Sequence, residues 1–380
     1  MRILWFSFAL ACAVVVPRAA QAYPQWQFSS GTSRCNQCHF APAGTGLVTG
    51  YGRDAVGEDL STWEGNGAFA HGAVELPGWL ALGLDARGVI LRHEAGDSFG
   101  PTQAIFPMQA DAYARLSYDS VSFSITAGYR GSARLDRGPL GADAALPAGG
   151  SRIISREHYA MWRAGALGPY VRVGRFFAPY GLRLVEHTSY IRRDVGNNLL
   201  QEGYGVSVGL VQNEWELHIT GLAPDFLRQF GSKELGAAAL FEYRFVDAYA
   251  LGLQARVGIT EDGRRVGGGA YGKAYVTPIK TLLMAEANLF QVQGSKGGSS
   301  NQLVGYAGPT IFPYRGVWLG VYGEISQTDI RVKDTATKAV NGQLNWFPYP
   351  HFEFVVLGRL QAPEGNGSSK TLLLQLHYFL

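Results

Sequence analysis

From about Trp79 to the last residue, short segments in which every second residue is apolar follow one another, divided by Gly, Pro, Asp and Asn. Val121, Phe123, Ile125, Ala127 and Tyr129 alternate with Ser122, Ser124, Thr126, Gly128 and Arg130; Trp215, Leu217 and Ile219 alternate with Glu214, Glu216 and His218. Val317, Leu319, Val321 and Ile325 alternate in the same way with Trp318, Tyr322, Glu324 and Ser326. A period of two puts the two sets on opposite faces of a strand. Strands are expected near 79–94, 106–119, 121–131, 151–165, 169–177, 203–211, 213–222 and 234–246, then near 249–260, 265–277, 280–294, 301–313, 316–328, 335–347, 350–362 and 368–380. Tight turns such as Asp119-Ser120, Gln212-Asn213 and Val246-Asp247 alternate with longer polar connections at 132–150, 178–202 and 293–300. A secreted β-sandwich would share the alternation. An even strand count with short turns on one rim and long loops on the other indicates instead an all-β fold, an outer-membrane antiparallel β-barrel of about 16 strands.

Composition agrees by exclusion. The 380 residues are 47 % hydrophobic and 17 % charged, with a formal net charge of +3, which is too apolar and too weakly charged for a disordered chain. No basic run supports nucleic-acid binding, and beyond the first two dozen residues no apolar stretch approaches the ~20 needed for a membrane helix. Aromatic residues cluster at two turns, Phe312, Tyr314 and Trp318 at one and Trp346, Phe347, Tyr349 and Phe352 at the other, where a membrane-interface girdle is expected.

The N-terminus has the pattern of an export signal. Arg2 precedes the apolar stretch Ile3 to Val16, and Ala20-Gln21-Ala22 forms a small-x-small cleavage site. Residues 1–22 are therefore expected to be a signal peptide, and cleavage after Ala22 removes Cys12 and leaves only Cys35 and Cys38.

Those two cysteines lie in Cys35-Asn36-Gln37-Cys38-His39, the C-x-x-C-H attachment sequence of a c-type haem. Each thiol can form a thioether with a haem vinyl group, and the adjacent histidine then meets the iron as proximal ligand. A disulfide across two residues would leave His39 unexplained. A thioredoxin-type pair needs a βαβ context, and a zinc site needs four ligands where the cysteines stop at two. One covalent haem c is the expected cofactor, bound by Cys35 and Cys38 with His39 on the metal.

For the sixth position of the iron, His71 in Ala68-Phe69-Ala70-His71-Gly72 is the expected ligand because it is the only other histidine of the N-terminal segment. Met108 after Phe106-Pro107, or an open position, are the alternatives. Two further features carry less. Gly267-Gly268-Gly269-Ala270-Tyr271-Gly272 matches a dinucleotide fingerprint but lacks its helix, and reads as small residues for close packing in the lumen. Arg183, His187, Arg192 and Arg193 with Glu186 and Asp194 form a charged cluster in the 178–202 loop, placed either in solvent or in the pore. No general-acid or nucleophile constellation is present, so any enzymatic activity would be one-electron oxidation or reduction at the haem.

The chain thus divides into the signal at 1–22, a monohaem cytochrome c-like segment at 23–78, and a transmembrane β-barrel at 79–380. The middle segment has too few large apolar residues for a core of its own, and a barrel of this size has a lumen wide enough to admit it as a plug. Pro24, the Cys35-to-His39 motif soon after the signal, Pro42 and Gly50-Tyr51-Gly52-Arg53 behind it, together with the barrel, resemble the fused outer-membrane monohaem cytochrome–porins associated with extracellular iron oxidation. That resemblance implies location in the bacterial outer membrane, with one haem in or at the periplasmic mouth of the barrel. It also implies electron transfer between an extracellular donor or acceptor, such as a metal, and periplasmic carriers such as soluble c-type cytochromes. A passive diffusion porin with a haem-bearing plug or redox-sensor segment is the other function these features allow.

Overall fold

A single closed sheet accounts for most of the chain. The computed structural model describes residues 24–380 apart from 97–99, 136–137, 142–151, 187, 199, 226–232 and 365–366; the expected signal peptide and His187 lie outside the described residues. In chain order the strands are β1 (Leu80–Glu94), β2 (Thr102–Tyr118), β3 (Val121–Arg130), β4 (Ser132–Leu135), β5 (Gly138–Gly141), β6 (Ile153–Arg163), β7 (Gly168–Phe176), β8 (Gly203–Val211) and β9 (Trp215–Ala223). They continue as β10 (Leu235–Phe245), β11 (Tyr249–Thr260), β12 (Gly263–Val276), β13 (Thr281–Gly294), β14 (Ser299–Tyr314), β15 (Val317–Gln327), β16 (Ala336–Trp346), β17 (Phe352–Pro363) and β18 (Ser369–Phe379). All except β4 and β5, which form a separate hairpin, belong to one 16-stranded antiparallel barrel, closed where β1 pairs with β18 from Asp85↔Phe379 to Glu94↔Lys370. Each of the sixteen expected strands is present, and 203–211 and 249–260 match to the residue.

Period-two patterning sorts the side chains as lipid on one face and a polar lumen on the other would require. Along β11, Leu251, Leu253, Val257 and Ile259 are exposed on the outside, while Ala250, Gln254 and Arg256 are buried inside. Closure leaves the sheet no unpaired edge, so every strand can cross hydrocarbon with its backbone groups satisfied.

Connection lengths alternate with two departures from expectation. The 293–300 segment is mostly strand, since β13 runs to Gly294 and β14 starts at Ser299. On that same long-loop rim, β11 and β12 are joined by only Glu261 and Asp262. The aromatic girdle is also only partly on the membrane side. Tyr314 and Tyr349 are exposed, but Phe312, Trp318 and Phe347 are buried in the lumen; a register shift between Ile311 and Tyr314 turns Tyr314 away from the face that Phe312 shares with Thr310.

Two segments enter the lumen from opposite rims. The N-terminal segment, from Pro24, enters at the short-turn rim, and the 177–202 connection folds inward from the other. They share one apolar cluster with the wall: Trp26, Phe28 and Leu60 from the first, Tyr180, Leu182, Leu184, Tyr190 and Ile191 from the second, and Leu240, Phe290, Phe312, Trp318 and Phe347 among the barrel residues. The Trp26 ring lies 5.3 Å from that of Phe312 and 5.8 Å from that of Phe347. The missing core of the N-terminal segment is therefore supplied by the barrel. The inward-facing Gly267 and Gly269 allow this on one side: a Cβ at Gly267 would meet the Phe290 ring at 2.7 Å, and one at Gly269 would meet Asn288 Oδ1 at 2.6 Å.

Candidate functional site

Cys35–Cys38 form one helical turn, started by Gln37, whose Oε1 accepts from Arg34 N at 3.0 Å and Ser33 N at 3.2 Å. Thr49 ties this turn to the next helix, Gly50–Ala55. Its Oγ1 donates to Gln37 O at 2.8 Å and accepts from Gly52 N at 3.1 Å, and its own N–H donates to Cys38 O at 2.8 Å. The helix then passes so close that a Cβ on Gly52 would lie 2.6 Å from Cys38 O, so only glycine fits. Gly44, at φ +83°, lets the 41–46 turn lie flat on the motif, where a Cβ would be 3.1 Å from Cys35 Cβ.

Cys35, Cys38 and His39 thus come together, and the two cysteines are not joined in a disulfide. Burial pushes the Cys35 thiol above its ordinary range, opposed by the positive charge of Arg183. His39 is buried, and its Nδ1 lies 3.2 Å from Gly46 O. A carbonyl can only accept, so Nδ1 carries the proton and Nε2 the lone pair, which is the tautomer a metal-ligating histidine needs.

His39 borders a cavity of about 350 Å³ between the plug, the 177–202 connection and the wall of β1, β2, β3, β6 and β7. The apolar cluster packs against the opposite wall, from β9 to β16. Leu47, Val56, Leu84, Val89 and Met108 supply apolar lining; Arg87, Arg130, Arg156, Arg172, Arg183 and Arg192 outnumber the acids Asp85 and Glu157. Arg192 is pushed down to about 10 by burial and by the like charge of Arg156. A porphyrin is a flat apolar ring with two carboxylates. The paired thiols, the oriented imidazole and an apolar cavity edged with arginines fit such a group.

His71 is placed elsewhere. It sits at the short-turn rim, its ring 4.8 Å from that of His351 and its Nε2 3.4 Å from Tyr378 Oη, and it does not line the cavity. Met108 does line it. Of the loop cluster, Arg183 and Arg192 turn into the lumen while Arg193 stays at its edge, paired with Asp194 at 2.6 Å. Sequence reasoning missed Arg156 and Arg130, whose signal is an arginine on the inward face of a strand.

No protein-family model matches the chain, and no curated protein matches it significantly. Solved structures do resemble it. Against Pseudomonas putida OprB the TM-score is 0.63 at 10 % identity, covering 85 % of this chain and 99 % of that one. Against OmpT, an outer membrane protein of Vibrio cholerae, it is 0.59 at 8 %, covering 81 % and 100 %. Against an anion-selective porin from Comamonas acidovorans it is 0.58 at 9 %, covering 79 % and 99 %. At such identities the likeness is one of fold, and the fold is that of the outer-membrane porins, a closed 16-stranded antiparallel barrel.

Proposed function

We propose that this protein is an outer-membrane electron-transfer protein with one haem c, carried by a plug inside the barrel, which Cys35 and Cys38 would hold through their sulfurs and His39 through its imidazole. The observation that carries the reading is the position of the C-x-x-C-H turn. It is not displayed on a free domain but seated in the short-turn end of the lumen, where Asn36 bonds Ala166 O, Arg34 bonds Asn213, and His39 borders the arginine-edged cavity. The short-turn rim then faces the periplasm and its soluble c-type cytochromes, and the long-loop rim faces an extracellular metal or other redox donor or acceptor, after export directed by residues 1–22.

When bound, the haem supplies a one-electron ferric/ferrous couple. The chain's own residues do the rest. Gly46 O holds the His39 tautomer, Gly44 and Gly52 keep the two thiols in register, and Arg87 and Arg183 offer charge to carboxylates. The apolar band of such a barrel is ~25 Å tall, so a redox centre inside the lumen divides an otherwise insulating span. Plug and inward loop meanwhile oppose leakage of solutes.

Haem staining of the purified outer-membrane fraction tests the cofactor. Proteoliposomes test the activity: an outside donor is expected to reduce a trapped acceptor, and Cys35→Ala with Cys38→Ala is expected to abolish this while sparing barrel assembly. Transfer that survives the double variant overturns the reading. The second reading, a passive porin whose plug carries the haem, draws on the porin fold and on the arginine lining, and an anion-selective porin is among the similar structures. It predicts high ion conductance in planar bilayers, unchanged by reducing the haem.

A further inference from the structure

Where adjacent residues of a strand both point inward, the pleat has been interrupted. On β2, Arg87 of β1 pairs with Gln109 and Gly88 pairs with Pro107, so Met108 has no counterpart on β1. On β6, Thr126 of β3 pairs with Glu157 and Ala127 with Ser155, so Arg156 is skipped in the same way. Both are β-bulges, and both sit at the cavity, where Met108 and Gln109 line the wall together, as do Arg156 and Glu157. A bulge re-aims a side chain that regular pleating would send to the other face. Gly131 secures the first one: its N–H donates to Met108 O at 3.0 Å, and a Cβ there would collide with Pro107 O.

We infer that Met108, which lines the cavity between Phe106 and Gln109 where the bulge sets two neighbouring side chains inward, is the sixth ligand of the haem iron, so that the ligand pair is divided between plug and barrel wall. The inference rests on the haem reading above. A thioether sulfur donates a lone pair to iron without losing a proton, and methionine opposite histidine is an established haem ligation.

The competing donors are committed elsewhere. His377 also lines the cavity, but its Nδ1 is 2.6 Å from Glu353 Oε2 and its Nε2 is 3.3 Å from Asp85 Oδ1. His158 is held by Ser155 Oγ at 2.8 Å and Tyr204 Oη at 3.0 Å, and His218 by Tyr170 Oη at 2.7 Å and Glu216 Oε1 at 3.3 Å. Met161 and Met284 are packed inside separate apolar clusters. His71 lies at the rim beside His351.

The test is the optical spectrum of the intact, detergent-solubilised chain with its haem. The oxidised protein is expected to show the far-red methionine–iron charge-transfer band. Met108→Leu, close in volume, should lose the band and become high-spin while the folded barrel keeps its mobility on an unheated gel. Met108→His should restore a low-spin spectrum without the band and at a lower reduction potential, and His71→Ala should change nothing. A coloured wild-type protein without the band, a Met108→Leu spectrum that is unaltered, or loss of the low-spin spectrum in His71→Ala overturns the ligand assignment alone. A colourless wild-type protein overturns the haem reading with it.

Discussion

Arg183 Nη2 donates to Cys35 Sγ across 3.7 Å, joining a connection that enters the barrel from one rim to a plug that enters from the other. The same guanidinium lies 3.8 Å from Glu216 Oε1 on the wall, so plug, loop and barrel meet at one residue. Glu216 is the second residue of β9 and pairs with Val211 beside the Gln212-Asn213 turn, so this junction lies at the short-turn end of the lumen.

Arg183→Ala is accordingly expected to loosen the plug at this end of the lumen without unfolding the sheet, since Glu216 keeps Arg244 at 3.0 Å. Planar-bilayer recordings should show a severalfold rise in single-channel conductance. An unchanged conductance would mean that the seal lies elsewhere.

Trp26 anchors the plug against Phe312 and Phe347. Truncating a buried tryptophan costs about 3–5 kcal/mol. Here the loss falls on plug docking, because the barrel ladder does not involve Trp26. Limited proteolysis should cut the N-terminal segment of Trp26→Ala while leaving the strands intact.

Gly52→Ala places a methyl 2.6 Å from Cys38 O. The helix at Gly50–Ala55 has to move away from the C-x-x-C-H turn, and covalent haem per folded barrel should fall severalfold. Gly50→Ala is the control, since nothing lies within 4 Å of a Cβ there.

Plug docking at the rim should depend on pH. His351, in the turn before β17, is pushed down to about 4 by burial and by its neighbour His71. An undocked His351 takes up a proton below its ordinary value of 6.5 that the docked residue refuses until about 4. Docking therefore weakens as pH falls through that window and changes little below it. Protease sensitivity of residues 62–73 should rise between neutral pH and about pH 5, and His351→Phe should flatten the response.

The barrel was legible because hydrocarbon outside and polar lumen inside impose alternation on every strand, and 203–211 shows how closely that pattern sets the ends. Sequence could not show how the interior is filled. Phe312, Trp318 and Phe347 look like girdle residues until Trp26 is found packed among them. The β4–β5 hairpin is set in a Gly/Pro-rich connection with no alternation long enough to mark it. The C-x-x-C-H motif is explicit in five residues, whereas the bulge at Met108 leaves no local trace: it exists only as a mismatch of register between two strands. His71 was favoured by proximity in sequence, and the chain between it and His39 leads out to the rim.

If the proposed haem is joined to it, the burial of Cys38, with 2 % of its surface accessible and a barrel wall around it, sets an order of events in biogenesis. A maturation enzyme that joins vinyl groups to two sulfurs is itself a macromolecule and cannot follow them into a finished barrel. On the proposed haem reading, attachment would have to come first, on the exported chain, and insertion second; a copy that inserted bare would have no later opportunity to acquire its cofactor.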